Sequence, residues 1–150
     1  MKKFRFSLQT VHQLRERAQA EAEAELARAN GEVARAIETV ESAKQAREDA
    51  MNTYTQMFLS GQLSHAETML RAGYLIVLAD RIIEAQKSLA EREREREVVR
   101  QKVIAATTRA EATATLRDQQ LAEYRAEAER EEQEQLDEIA TLRAARHRLS

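Results

Sequence analysis

The residues able to do chemistry here are three histidines, His12, His65 and His147, and 26 acidic side chains in a chain of 150. A metal centre needs three or four ligands held by a further layer of partners. The histidines stand apart in sequence, and no H-E-x-x-H is present. His12 and His147 could meet where the two ends of a folded-back helix pair come together, but two histidines on helix ends make no metal site. The carboxylates fall on what the periodicity marks as exposed helical surface, with no enclosed pocket to tune a catalytic pKa. Serine and threonine hydroxyls have neither a base nor an oxyanion hole to activate them. Neither G-x-x-x-x-G-K-[ST] nor G-x-G-x-x-G occurs, so no phosphate-cradling loop is expected. The reading is a non-enzymatic chain without cofactor or metal.

Composition says which elements carry these residues. There is no proline, cysteine or tryptophan, only three glycines, and 33% of residues are charged. This is the composition of long helices or coiled coil. Twenty-seven residues are alanine, which favours helix but buries little area. A narrow seam between helices therefore fits better than a thick core. The net charge of −2 argues against nucleic-acid binding, which needs a basic stripe. The absence of cysteine excludes disulfides and fits a reducing cytosol. The longest apolar run, Tyr74 to Ala79, is far short of the roughly 20 residues that span a bilayer, so no membrane insertion is expected. Met1-Lys2-Lys3-Phe4 begins like a secretory leader, but polar residues follow at once.

The spacing predicts an all-α fold, a two-helix antiparallel coiled-coil hairpin with a longer C-terminal helix, forming one domain over residues 1–150. The first helix runs from about 5 to 59, its start lying between Phe4 and Thr10, with Ser7, or Thr10 paired with Gln13, as its N-cap. Leu26, Val33, Ile37, Val40, Met51, Tyr54 and Phe58 give its seam, which Lys44 and Arg47 interrupt while their stems cover it. The turn is at about 60–64. Gly61 suits a left-handed helix end, and Ser64 with Glu67 forms the S-x-x-E box that starts a helix. The second helix runs from about 65 to 147, with Leu70, Ile76, Ile83, Val99, Val103, Ala106, Ala110, Leu121 and Tyr124 as regular apolar positions. A turn near residue 62 pairs positions whose numbers add to about 124, which leaves residues beyond about 122 without a partner in the chain.

Three stretches suggest work. The overhang is acidic from Leu121 to Glu138, and Leu136, Ile139 and Leu142 then share one face. This stripe reads either as a docking surface or as a frayed, solvated end. Tyr74-Leu75-Ile76-Val77-Leu78-Ala79 covers every helical face, while a hairpin buries only one. With Met57, Phe58, Leu59, Met69 and Leu70 it forms an apolar patch near the tip, read as an interface or as a locally thicker core. Glu91-Arg92-Glu93-Arg94-Glu95-Arg96-Glu97 has no apolar residue and lies opposite Asn30 and Gly31. It reads as a soft, hydrated section of the seam or as an ordinary solvated charge run.

The opening Lys3-Phe4-Arg5-Phe6-Ser7-Leu8-Gln9, with Leu14-Arg15 and Glu23 to Leu26, resembles the start of FliJ-type flagellar proteins. Tyr74-Leu75, Leu78, Ile82 and Gln86 resemble their tip region, and Glu134-Gln135-Leu136-Asp137-Glu138-Ile139-Ala140, followed by basic residues, resembles their close. The likeness covers essentially the whole chain. It implies a cytoplasmic component of the flagellar type III export apparatus, peripheral at the cytoplasmic face of the inner membrane. Such a stalk sits in the pore of the hexameric export ATPase, promotes its assembly, contacts the export gate protein FlhA and helps to recycle export chaperones. The resemblance implies a gate-contacting surface at Tyr54, Phe58, Tyr74 and Leu78. It implies an ATPase-facing surface at Phe4, Phe6, Leu8 and Val11, with Leu136, Ile139 and Leu142. Two other readings stay open: the equivalent stalk of a virulence-type secretion system, and a self-associating structural coiled coil.

Overall fold

A computed structural model describes residues 3–149; Met1 and Lys2 of the leader-like start, and Ser150, lie outside the described residues. The described residues form two helices, α1 (Gln9–Leu59, 51 residues) and α2 (His65–Leu149, 85 residues), and no strand. The fold is all-α, two long helices packed against each other as a helical hairpin, the C-terminal one longer. The chain divides into two compact units. One is Met1–Ala20 with Ala105–Ser150, and the other is Glu21–Ile104.

The turn follows from three residues. Gly61 has φ of 69°, where a side chain clashes with its own backbone. Its N–H donates to the Phe58 carbonyl at 3.2 Å, and the Gln62 N–H to the Met57 carbonyl at 3.3 Å. This pair of bonds closes a helix on a left-handed residue. The Ser64 N–H then donates to Glu67 Oε2 at 3.0 Å, and the Glu67 N–H to Ser64 Oγ at 3.2 Å, the reciprocal box read from sequence. Gly61→Ala is expected to cost about 1 kcal/mol. Gly73→Ala, at a helical position where an added Cβ meets nothing within 4 Å, should stabilise by a similar amount. Thermal melts of the two variants should move in opposite directions.

The start of α1 falls late in the expected window of Phe4 to Thr10, and its caps differ from those expected. Lys3 to Phe6 are not helical, and Ser7 and Leu8 form a turn. The Gln9 N–H donates to the Phe6 carbonyl at 3.2 Å and the His12 N–H to that of Leu8 at 2.8 Å. The helix thus begins at Gln9, and neither Ser7 nor Thr10 caps it. Phe6 decides this. It is buried and meets the His12 ring edge-on at 6.4 Å, so an apolar residue before the helix grips its first turn and fixes the entry. At the other end α2 continues to Leu149, with Arg146, His147 and Arg148 in its last turn, where positive charge is favoured by the helix dipole.

In the unit of residues 21–104 the seam is a strict heptad, displaced by one residue from part of the expected one. Ala22, Val33, Val40, Leu78 and Val99 are its buried members. Ile37, Met51 and Phe58 on α1, and Leu70, Ile76 and Ile83 on α2, are exposed, so they are not seam residues. Their places are taken by the neighbours Ala36, Ala50, Met57, Arg71, Leu75 and Ile82, all half-buried. For Ile37 and Met51 the cause is an alanine at one heptad position: Ala22, Ala29, Ala36, Ala43 and Ala50 recur every seven residues. A methyl group lets two helices approach closely but gives little apolar signal.

The charge run continues as helix and takes seam places with Arg92 and Arg96, of which only Arg96 is half-buried. Its ion pairs are local, Arg92 to Glu95 and Arg100 to Glu97 at 3.1 Å, and Lys102 reaches Glu25 on α1 at 3.6 Å. The Gln101 amide, with the Arg100 guanidinium, holds the Glu97 carboxyl below its ordinary value. Exposed pairs of this kind contribute little stability. Amide exchange at Gly31 and Glu95 is therefore expected to be faster than at Val40 and Ile82. Equal protection would show that the alanine seam alone keeps this section closed.

Candidate partner-binding surfaces

Next to the turn, the last two turns of α1 place Tyr54 and Phe58 four residues apart, so their rings stack at 6.1 Å and 25°. Tyr54 is half-buried and Phe58 is exposed. On α2, Met69, Leu70, Tyr74, Ile76 and Val77 are exposed, whereas Leu78 is 3% exposed. Leu78 is therefore a seam residue that supports the surface from beneath. It cannot touch a partner while the hairpin is closed, which corrects its place among the gate-contacting residues. The apolar run does cover every face: Leu75, Leu78 and Ala79 turn inward, and Tyr74, Ile76 and Val77 outward. A groove of about 620 Å³ runs beside it, lined by Thr39, Ala43, Ala46, Val77 and Arg81. A hollow of about 240 Å³ lies between Tyr54, Arg71 and Tyr74. Aromatic and arginine side chains around a concave apolar surface are what interface centres use.

In the unit that holds the termini, Phe4 packs against Tyr124 with ring centroids 5.5 Å apart. With Phe6 also buried, the two phenylalanines expected to face a partner are used within the chain. They tie the residues before α1 to the unit's own helices. Leu8 and Val11 keep a little over a third of their surface exposed. From Glu129 to Leu149 every residue of α2 is exposed. Leu136, Ile139 and Leu142 stand 55%, 47% and 58% open, which is an apolar stripe with no cover from this chain.

The same unit holds a ladder of polar contacts between the helices. His12, 2% exposed, places Nδ1 2.8 Å from Thr113 Oγ1. Arg15 donates to the Arg109 carbonyl at 3.0 Å and Gln19 Nε2 to Thr107 Oγ1 at 3.4 Å. The Thr113 hydroxyl lies 3.0 Å from the Ala110 carbonyl. With its proton given there, Thr113 accepts from His12 Nδ1–H. Nε2 lies 3.1 Å from Glu16 Oε1 but is not aligned for a hydrogen bond. His12 thus faces Thr113 and does not meet His147. Among the described residues no group of three His, Cys, Asp or Glu could hold a metal ion. A single polar seam position fixes register in coiled coils. His12→Ala removes a buried ring and the bond that Thr113 accepts across the seam, so a loss of about 2–3 kcal/mol is expected in denaturant melts.

Residues 4–149 match the protein family described as Flagellar FliJ protein. The chain belongs to the FliJ family. No curated protein and no solved structure matches it. FliJ proteins are non-enzymatic components of flagellar protein export, and the resemblance read from the two ends and the tip is thereby confirmed at the level of the family. No helix among the described residues is long and apolar enough to cross a membrane.

Two features of this FliJ chain escape sequence reading. One is the polar ladder, because histidine, arginine and glutamine in a helix look like surface. The seven-residue spacing of His12 with Gln19 and Leu26 is the available signal. The other is a row on one flank of the hairpin, Met69, Ile76 and Ile83, again seven residues apart and exposed. Their spacing is visible in the sequence, but there it reads as the seam itself.

Proposed function

We propose that this chain is the stalk and coupling protein of the flagellar export ATPase. The observation that carries the reading is the family match over residues 4–149. It is supported by an uncovered apolar stripe in the unit with the termini and a second apolar surface beside the turn. In this reading Leu136, Ile139 and Leu142, with Leu8 and Val11, dock in the hexameric ATPase. Tyr54, Phe58 and Tyr74 meet the export gate protein FlhA, and export chaperones exchange on the chain. The complex works in the cytoplasm at the face of the inner membrane, with residues 1–150 acting as one domain. One chain inside a six-fold ring makes unequal contacts with its subunits. It therefore binds some ring conformations better than others, and only such a difference in affinity biases assembly or the order of turnover.

Sedimentation of the ATPase of the same organism with ATP, alone and with this chain, tests the reading. The expected result is a shift from monomer to hexamer with the chain in the hexamer peak. An ATPase distribution unchanged by an excess of folded chain overturns it.

A further inference from the structure

The uncovered end of α2 is self-complementary about Ile139. Two copies laid antiparallel with Ile139 against Ile139 bring Leu136 against Leu142 of the other chain on both sides of the centre. Continuing outward, Glu132 falls against Arg146 and Glu131 against His147, while Arg148 meets Arg130. Glu132, Leu136, Ile139, Leu142 and Arg146 occupy about a third of the helix circumference, so one face carries an apolar centre closed at each end by opposite charges. All five are exposed along a continuous helix. A parallel arrangement sets acid on acid and base on base.

We propose that this face is an interface between two copies of the chain, a two-fold antiparallel helix pair held by Leu136, Ile139 and Leu142 and registered by two Glu132–Arg146 pairs. A two-fold interface uses the same patch on both partners, and charges flanking a helical seam set orientation and partner choice. The contact is smaller than a standard interface of about 20–30 residues a side, so the dissociation constant falls at ~10–100 µM rather than nanomolar. Pairing covers the stripe assigned above to the ATPase, so dimer formation and ring docking exclude each other. The interface is inferred from this chain's own pattern and does not rest on the ATPase reading, and its test contains no ATPase.

The test is sedimentation equilibrium of the full chain, of Glu132→Arg, of Arg146→Glu, and of an equimolar mixture of the two variants, with helicity checked by circular dichroism. The wild-type chain is expected to associate reversibly to a dimer. Each variant alone faces like charges at both registering positions and should associate at least tenfold more weakly. In the mixture, an antiparallel pair sets the introduced arginine of the first variant against the introduced glutamate of the second. The unchanged Arg146 of the first then meets the unchanged Glu132 of the second, so a heterodimer should recover wild-type association. A chain that stays monomeric to several hundred micromolar overturns the proposal. So does association that persists equally in both single variants, which places the contact elsewhere, such as on the Met69–Ile76–Ile83 flank.

Discussion

Replacing Leu136 and Ile139 together by aspartate is expected to weaken binding to the export ATPase more than about a hundredfold while helicity and thermal midpoint stay nearly unchanged. Both side chains are about half exposed and lie where α2 has no cover from α1, so no internal contact is lost. Substitutions at such positions usually change stability by no more than about 0.5 kcal/mol. A docked stripe is different. There the change removes two apolar anchors and forces two carboxylates out of water, and each anchor at an interface centre can cost about 2 kcal/mol or more. At about 1.4 kcal/mol per factor of ten, the pair exceeds a hundredfold. Titration calorimetry, at concentrations where the chain is monomeric, reads this directly. Unchanged affinity would move the ATPase contact to Leu8 and Val11.

The second large effect separates two residues that the sequence puts together. Tyr74→Asp should abolish measurable gate binding and leave the melt within about 0.5 kcal/mol of wild type, because Tyr74 is 52% exposed beside the Tyr54 hollow. Leu78→Asp should act through the fold instead. At 3% exposure its carboxylate would be buried unpaired in the seam, at a cost of several kcal/mol. The expected outcome is loss of cooperative unfolding in the unit of residues 21–104. A pull-down with the gate protein beside a denaturant melt distinguishes the two variants. Equal destabilisation by both would show that Tyr74 belongs to the core and that no free tip surface exists.

The legible parts of the fold are those set by short-range chemistry. Gly61, Ser64 and Glu67 each have one structural use at their spacing, so the turn can be placed to the residue. Once it is placed, the unequal helix lengths leave the end of α2 without a partner. The seam is less legible because large residues dominate an apolar pattern. Ile37 and Met51 outweigh the alanines one position away, although alanine in a heptad is what allows close helix approach, and Ile76 stands between Leu75 and Val77, where size gives no choice. Phe4 and Phe6 are placed on a partner surface by the family resemblance alone, and nothing in the two residues themselves says that they fold back onto the chain. His12 is the clearest case of missing information. Its burial depends on Thr113 arriving opposite it, a contact 101 residues away in sequence. The exposed surfaces are readable as excess apolar residues, but which of them point outward depends on the alanine register.

The central claim is that the chain couples to an ATPase ring. Its most direct test is ATP hydrolysis by the export ATPase of the same organism, measured with and without the chain across a range of enzyme concentrations. Stimulated turnover is expected, largest where the ATPase alone is mostly monomeric, with little stimulation by the Leu136→Asp, Ile139→Asp variant. Turnover that is unaffected by a fully helical wild-type chain at every concentration would contradict it.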